Sequence, residues 1–219
     1  RDEVTFDMQA AAISEHEDRI IIDKDEEKYL PVSAVYGPNG GGKSNVLAAL
    51  HTLVAKVLRP LLATEDSEEK VLLQRKIIVE PFAFSKSKDE PTEFELFFRT
   101  TVSEYRYILH VKRDIVLYES LDRVKLETGR KSALFTRDEN GIVLKGAFAK
   151  LKVSDELSKT LTLLSYLGIA YKGNAVVKDV LSWFEYGIEF LNYGNPIQEL
   201  KMAVSTSEDV KKLMLQMIQ

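Results

Sequence analysis

Three regimes of hydrophobic spacing follow one another along the chain. The first 36 residues read as short strands. "EVTFDM" alternates apolar and polar positions, "RIIID" is a brief apolar run, and the charged "KDEEK" marks a turn before "YLPVSAVY". Val32 to Tyr36 is β-prone and apolar, as expected of a buried strand. Val46, Leu47, Leu50, Leu53, Val54, Val57 and Leu58 then recur at helical spacing, which predicts an amphipathic helix ended by Pro60. "ATEDSEEK" reads as a polar connection.

From about Val71 the period falls to two. "KIIVEPFAF", "TEFELFFRT", "EYRYILHVK", "IVLYESLDRVKL" and "ALFTR" succeed one another, and "DENG" before "IVLK" carries an Asn-Gly hairpin signal. Phe94, Leu96 and Phe98, with Tyr105, Tyr107, Leu109 and Val111, fall on one face. A β-meander of five or six antiparallel strands is expected. Beyond Ser154 the helical period returns. One helix is expected over "DELSKTLTLLSYL", stopping at Gly168, a second over "AVVKDVLSWFEYGIEFL", with Trp183 and Phe184 in the core, and a third from near Ser207. The expected organisation is 1–70 as a strand-loop-helix core, 71–150 as the meander of the same unit, and 151–219 as a helical segment. The chain opens at Arg1 inside an apparent strand, and Val210 to Ile218 keep helical spacing almost to its last residue, as a piece of a longer protein would.

The 219 residues suffice for one large domain or two small ones. A net charge of −4 gives no global pull toward nucleic acid or anionic membrane, and the absence of cysteine excludes disulfides, thiolate metal sites and cysteine nucleophiles. With no apolar run of about 18 residues and no signal peptide, a cytoplasmic protein without a membrane partner is expected.

The chemistry concentrates in "AVYGPNGGGKSNVLAAL". Gly37-Pro38-Asn39-Gly40-Gly41-Gly42-Lys43-Ser44 satisfies the phosphate-loop pattern G-x-x-x-x-G-K-[ST] at every fixed position. Such a loop between a strand and a helix turns backbone N–H groups inward, and the helix dipole adds positive potential there. Glycines permit positive φ and keep side chains away from the phosphate. Lys43 would reach the β- and γ-phosphates, and the Ser44 hydroxyl would ligate Mg²⁺. An acid at the end of a second apolar strand is harder to find. "RIIID" places Asp23 before the loop and suits a hairpin strand better. "IIVE" places Glu80 after it, but Pro81 follows. His16, His51 and His110 are scattered, and "YRYILHVKR" sets Arg106, His110, Lys112 and Arg113 among aromatics, as a nucleic-acid strand or a simple amphipathic one.

"YGPNGGGKSNVLAAL" resembles the phosphate loop of ABC-type ATPases of the SMC, RecF and OLD group, with Asn45 extending the match past Ser44. The "EPFAF…FRT", "EYRYILHVKRDIVLYESL" and "LLSYLG…VVKDVLSWFEYGIEFL" stretches are similar to AAA-type ATP-binding proteins of the abortive-infection and OLD-like group. The resemblance implies an α/β P-loop NTPase, the N-terminal part of an ABC-ATPase-like head, with an antiparallel meander insert and a helical C-terminal segment. It implies ATP and Mg²⁺ as cofactors and nucleotide binding by Gly37 through Asn45, with Lys43 as the catalytic cation. It also implies closure of two heads into a homodimer, an effector nuclease or toxin partner, and a role in phage defence or DNA transactions. No "SGG"-type signature occurs in this sequence, and the resemblance places it and the Walker B acid past residue 219. Residues 1–219 are then expected to bind nucleotide weakly and hydrolyse it poorly. The competing reading is a non-catalytic, nucleotide-gated interaction module.

Overall fold

The computed structural model describes residues 4–11, 17–23, 26–62, 79, 90–154 and 156–190. The chain divides into two compact units, Arg1–Phe184 and Glu185–Gln219. The second is described only over 185–190.

The first unit is built on five antiparallel strands in sequence order: β3 (Thr92–Arg99), β4 (Ser103–Lys112), β5 (Ile115–Lys125), β6 (Lys131–Asp138) and β7 (Gly141–Leu144). Alternation decides the sheet. Phe94 faces Leu109, Leu96 faces Tyr107 and Phe98 faces Tyr105 across β3 and β4, so the apolar set of both strands lies on one face. The three-residue link Thr100–Val102 fixes that register, with the Thr100 N–H on the Ser103 carbonyl at 2.9 Å. The loop of the last hairpin is Glu139–Asn140, and Gly141, at φ +127°, opens β7.

Two helices cover the inner face. They are α2 (Leu163–Ala170) and α3 (Ala175–Tyr186), and the far half of the phosphate-loop helix α1 (Lys43–Leu62) packs against α2. Tyr107, Leu109, Leu121, Phe135, Phe148, Leu163, Leu164, Leu167, Val177, Val180 and Phe184 are fully or almost fully buried. Phe184 meets Tyr107 edge-on at 5.9 Å, and Trp183, half-buried, lies 4.6 Å from Phe98. Both aromatics are therefore packed against the sheet, as their spacing suggested.

Several expectations need correction. Val32 to Tyr36 forms no strand. Val32 is 77% and Tyr36 89% exposed, because no described strand lies alongside to take their backbone hydrogen bonds. Every strand pair among the described residues is antiparallel, whereas a P-loop core is ordinarily parallel. Among its described residues the N-terminal segment contributes a 3₁₀ turn (Glu17–Arg19) and the short hairpin of β1 (Ile21–Ile22) and β2 (Lys28–Tyr29), with Gln9 bridged to Tyr29. α1 continues through Pro60 to Leu62, since a proline in the last turn forfeits only one backbone bond. By length and composition alone it would also pass for a membrane span, a test that single helices of folded proteins commonly pass. The helix expected from Asp155 starts only at Leu163 and ends at Ala170, and the next ends at Tyr186. "KIIVEPFAF", apart from Val79, and the helix from Ser207 lie outside the described residues.

Candidate phosphate-binding loop

Pro38 to Gly41 is a tight turn, with the Gly41 N–H on the Pro38 carbonyl at 3.1 Å. Gly40 and Gly42 adopt φ +78° and +87°, the left-handed region where a side chain is strained. A Cβ on Gly41 would stand 3.0 Å from the Pro38 oxygen, tighter than an ordinary contact, so a side chain there would have to push that carbonyl back by a few tenths of an ångström. α1 begins at once with Lys43, and the Asn45 N–H closes on the Gly42 carbonyl at 2.9 Å. N–H groups at the start of a helix have no intrahelical acceptor, and no acidic side chain stands in this first turn to oppose an anion.

Lys43 folds back over the loop it follows. Its Nζ donates to the carbonyls of Gly37 and Pro38, each at 2.7 Å, and its stem passes over Gly37. An ammonium has three donors, so two are spent fixing the cation over the loop and one is left for a ligand. Ser44 and Asn45 are exposed beside it on the first turn. The loop thus brings Gly37, Pro38, Asn39, Gly40, Gly41, Gly42, Lys43, Ser44 and Asn45 into one continuous surface feature, with Gly42 and Lys43 half-buried and the rest exposed. Its glycine-bare backbone, positive φ pair and tethered cation suit a polyphosphate.

The other candidates do not join it. Asp23 forms an ion pair with Arg99, which also holds Glu104, so it belongs to the hairpin reading of "RIIID". Glu80 lies outside the described residues, as does His16. His51 is exposed on α1, while His110 in β4 packs on Tyr118 at 4.9 Å with Glu93 at 3.9 Å. Among the described residues no cluster of three histidine, aspartate or glutamate side chains stands ready for a metal. The basic strand is balanced by acid: Arg106 lies over Phe97 and donates to Glu95 at 2.5 Å. That is the chemistry of an amphipathic strand.

The sequence reading passed over the residues that brace α1. Lys56 is buried, and its Nζ donates to the Asp114 carbonyl at 2.8 Å. The Ser165 hydroxyl donates to the Val57 carbonyl at 2.6 Å, and a Cβ on Gly168 would meet Leu61 and Leu181 at 2.6 Å. α2 is in turn fixed by the sheet. Glu119, fully buried in β5, accepts the N–H groups of Leu163 and Leu164 at 2.6 and 3.0 Å and the Tyr107 hydroxyl at 2.9 Å. Its cross-strand partner Arg137 donates to the carbonyls of Leu161 and Ser158 at 2.7 and 3.1 Å. Burial pushes the Glu119 carboxyl above its ordinary range, against the opposing pull of these donors and of Arg137. A glutamate on the inward register of a strand, beside Leu121, was the one signal in the sequence.

No curated protein and no solved structure matches the chain. The model of the family described as "AAA domain, putative AbiEii toxin, Type IV TA system" matches residues 32–177, from the segment before the phosphate loop to the start of α3. That span takes in the loop, the whole meander and α2, and on it the chain belongs to this AAA-domain family of P-loop ATPases.

Proposed function

We propose that Gly37 to Asn45 bind the phosphates of Mg-ATP, and that the chain is the nucleotide-binding part of an ABC-like head in a phage-defence or DNA-transaction ATPase. The reading is carried by the tethering of Lys43. Two carbonyls of its own loop hold the ammonium in place, so little side-chain entropy is lost when a phosphate takes the remaining donor. The Gly40–Gly42 backbone cradles the phosphate oxygens, Lys43 neutralises their charge, and Ser44 would hold the metal. Bound Mg²⁺ would supply further neutralisation of the β- and γ-phosphates.

On this reading ATP joins two heads as a homodimer, and an effector nuclease or toxin, or DNA, receives the signal. The family's description, "AAA domain, putative AbiEii toxin, Type IV TA system", supports such a setting. Calorimetric titration of the chain with Mg-ATP tests the binding. Lys43→Ala should weaken it roughly 10- to 100-fold, the worth of one charge-assisted hydrogen bond, while Mg-AMP should bind far more weakly than Mg-ATP. No heat with Mg-ATP, or equal affinity in the alanine variant, would refute it. Sedimentation with and without Mg-ATP tests the dimer. Binding without turnover by the protein in its native assembly would favour the nucleotide-gated module, a reading favoured by the engagement of Asp23 with Arg99.

A further inference from the structure

Charge is unevenly shared along the chain. Residues 145–178 carry six lysines against Asp155 and Glu156, within a chain whose net charge is −4. All six lysines are exposed, and among the described residues none of them meets a carboxylate. Arg106, on the strand that the sequence singled out for nucleic acid, is by contrast held by Glu95.

Four of the six are gathered by the fold. After β7 the chain makes the 3₁₀ turn Gly146–Phe148, anchored by the fully buried Phe148, and then runs on without regular structure to Ser154. Burial alternates from Lys150 to Ser154, with Leu151 and Val153 half-buried, so Lys150 and Lys152 project on the same side. At 3.3 Å per residue they stand about 7 Å apart. The Tyr171 hydroxyl accepts the Lys152 N–H at 2.8 Å and donates to the Lys152 carbonyl at 2.7 Å. The Tyr166 hydroxyl accepts the Ser154 N–H at 3.2 Å. These bonds pin the segment to α2 and to the residue just past it, and they set Lys152 beside Lys172, the chain neighbour of Tyr171. Lys145 flanks the group at the head of the 3₁₀ turn, its N–H on the Leu134 carbonyl at 2.8 Å. Like charges held together without a counter-charge repel one another, and a polyanion relieves that repulsion.

The ground between the lysines is bare. Gly146, Ala147, Ala149, Ala170 and Gly173 are exposed, and among the described residues from 144 to 185 no large apolar side chain is. Segments that lie on membranes insert Trp, Phe or Leu beside their basic residues, and protein interfaces centre on aromatic anchors. Single-stranded nucleic acid is held by stacking on aromatic rings. Lysines set among small residues offer point charges alone, which suit the dense, regular charge of a duplex backbone.

We propose that Lys145, Lys150, Lys152 and Lys172 form a sequence-independent binding surface for the phosphates of duplex DNA. The inference takes up the DNA partner of the reading above and assigns it to the helical side of the sheet rather than to β4.

Fluorescence anisotropy of a labelled DNA duplex with the full chain, in the absence of nucleotide, tests this. Four phosphate contacts should give log Kobs a slope of about −3.6 against log salt, roughly a 100-fold loss between about 50 and 200 mM. Replacing Lys150, Lys152 and Lys172 together by Gln should reduce the slope to about −1. The corresponding triple Arg variant should keep the wild-type slope, and Arg106→Gln should leave it unchanged. The three lysines are exposed, so both triple variants should fold, which urea melts check. No binding at low salt, a slope indifferent to the triple Gln substitution, or tighter binding of single-stranded DNA or duplex RNA would each overturn the proposal. Binding to phosphatidylserine vesicles in place of DNA would overturn it as well. The titration contains no nucleotide, so its failure and a failure of Mg-ATP to bind at Gly37 to Asn45 are read separately.

Discussion

Alanine substitution along the phosphate loop should give a graded, position-specific loss that its geometry dictates. At Gly40 nothing lies within 4 Å of a new Cβ, and at Gly42 only the Asn45 side-chain nitrogen does, at 3.9 Å. The penalty at both is therefore conformational, about 1–2 kcal/mol for an L residue held in the left-handed region. If nucleotide needs the loop in this shape and the free alanine variant relaxes out of it, that cost falls on binding. Kd should rise roughly 5- to 30-fold for Gly40→Ala and for Gly42→Ala. Gly41→Ala should cost at least as much, because its Cβ would stand 3.0 Å from the Pro38 carbonyl. That oxygen already accepts both the Gly41 N–H and Lys43, so withdrawing it would stretch both bonds. Gly37→Ala should change Kd by no more than about twofold, since its Cβ would rest 3.8 Å from the Lys43 stem, an ordinary van der Waals contact. Calorimetric titration with a non-hydrolysable ATP analogue and Mg²⁺ measures all four. Equal losses at Gly37 and Gly42, or an unaffected Gly42→Ala, would refute the assignment of the loop as a conformationally fixed cradle.

The brace behind the loop makes further predictions. Glu119→Ala orphans two backbone N–H groups and the Tyr107 hydroxyl in the core, so it should lower stability by about 3 kcal/mol or more in urea melts. Glu119 has its carboxyl raised by burial, so the folded state holds that proton more tightly than the unfolded state does. Its contribution is full at low pH and is lost as pH climbs through the raised value. Wild type should therefore lose stability relative to Glu119→Gln as pH rises from about 4.5, and melts in which it gains instead would contradict the direction. Ser165→Ala leaves the Val57 carbonyl without the hydroxyl and should cost about 1 kcal/mol, seen as a fall of about 2–4 °C in Tm.

What the sequence made legible is what neighbouring residues decide among themselves. The phosphate loop spans eight consecutive positions, so spacing alone located its turn, its glycines and its lysine. The meander was equally readable, because a three-residue link forces Phe98 beside Tyr105 and alternation does the rest. Apart from the helix that runs on through Pro60, the failures have remote causes. Val32 to Tyr36 has the composition of a buried strand, but pairing depends on strands alongside, and among the described residues there are none. "DELSKTLT" has helical spacing, yet Thr162 is the N-cap, and the carboxylate that takes the next helix's free N–H groups is Glu119, 44 residues earlier.

The same division runs through the candidate site itself. The residues that would touch phosphate are encoded as a contiguous word. Those that fix the helix behind them are Lys56, Ser165 and Gly168, ordinary in their own neighbourhoods and significant only for what they reach. Ser165 lies 108 residues from the carbonyl it holds, and Lys56 lies 58 from its own. Half of what builds the candidate site is thus written beside the loop, and the other half only in the topology that carries remote residues to the anchored end of its helix.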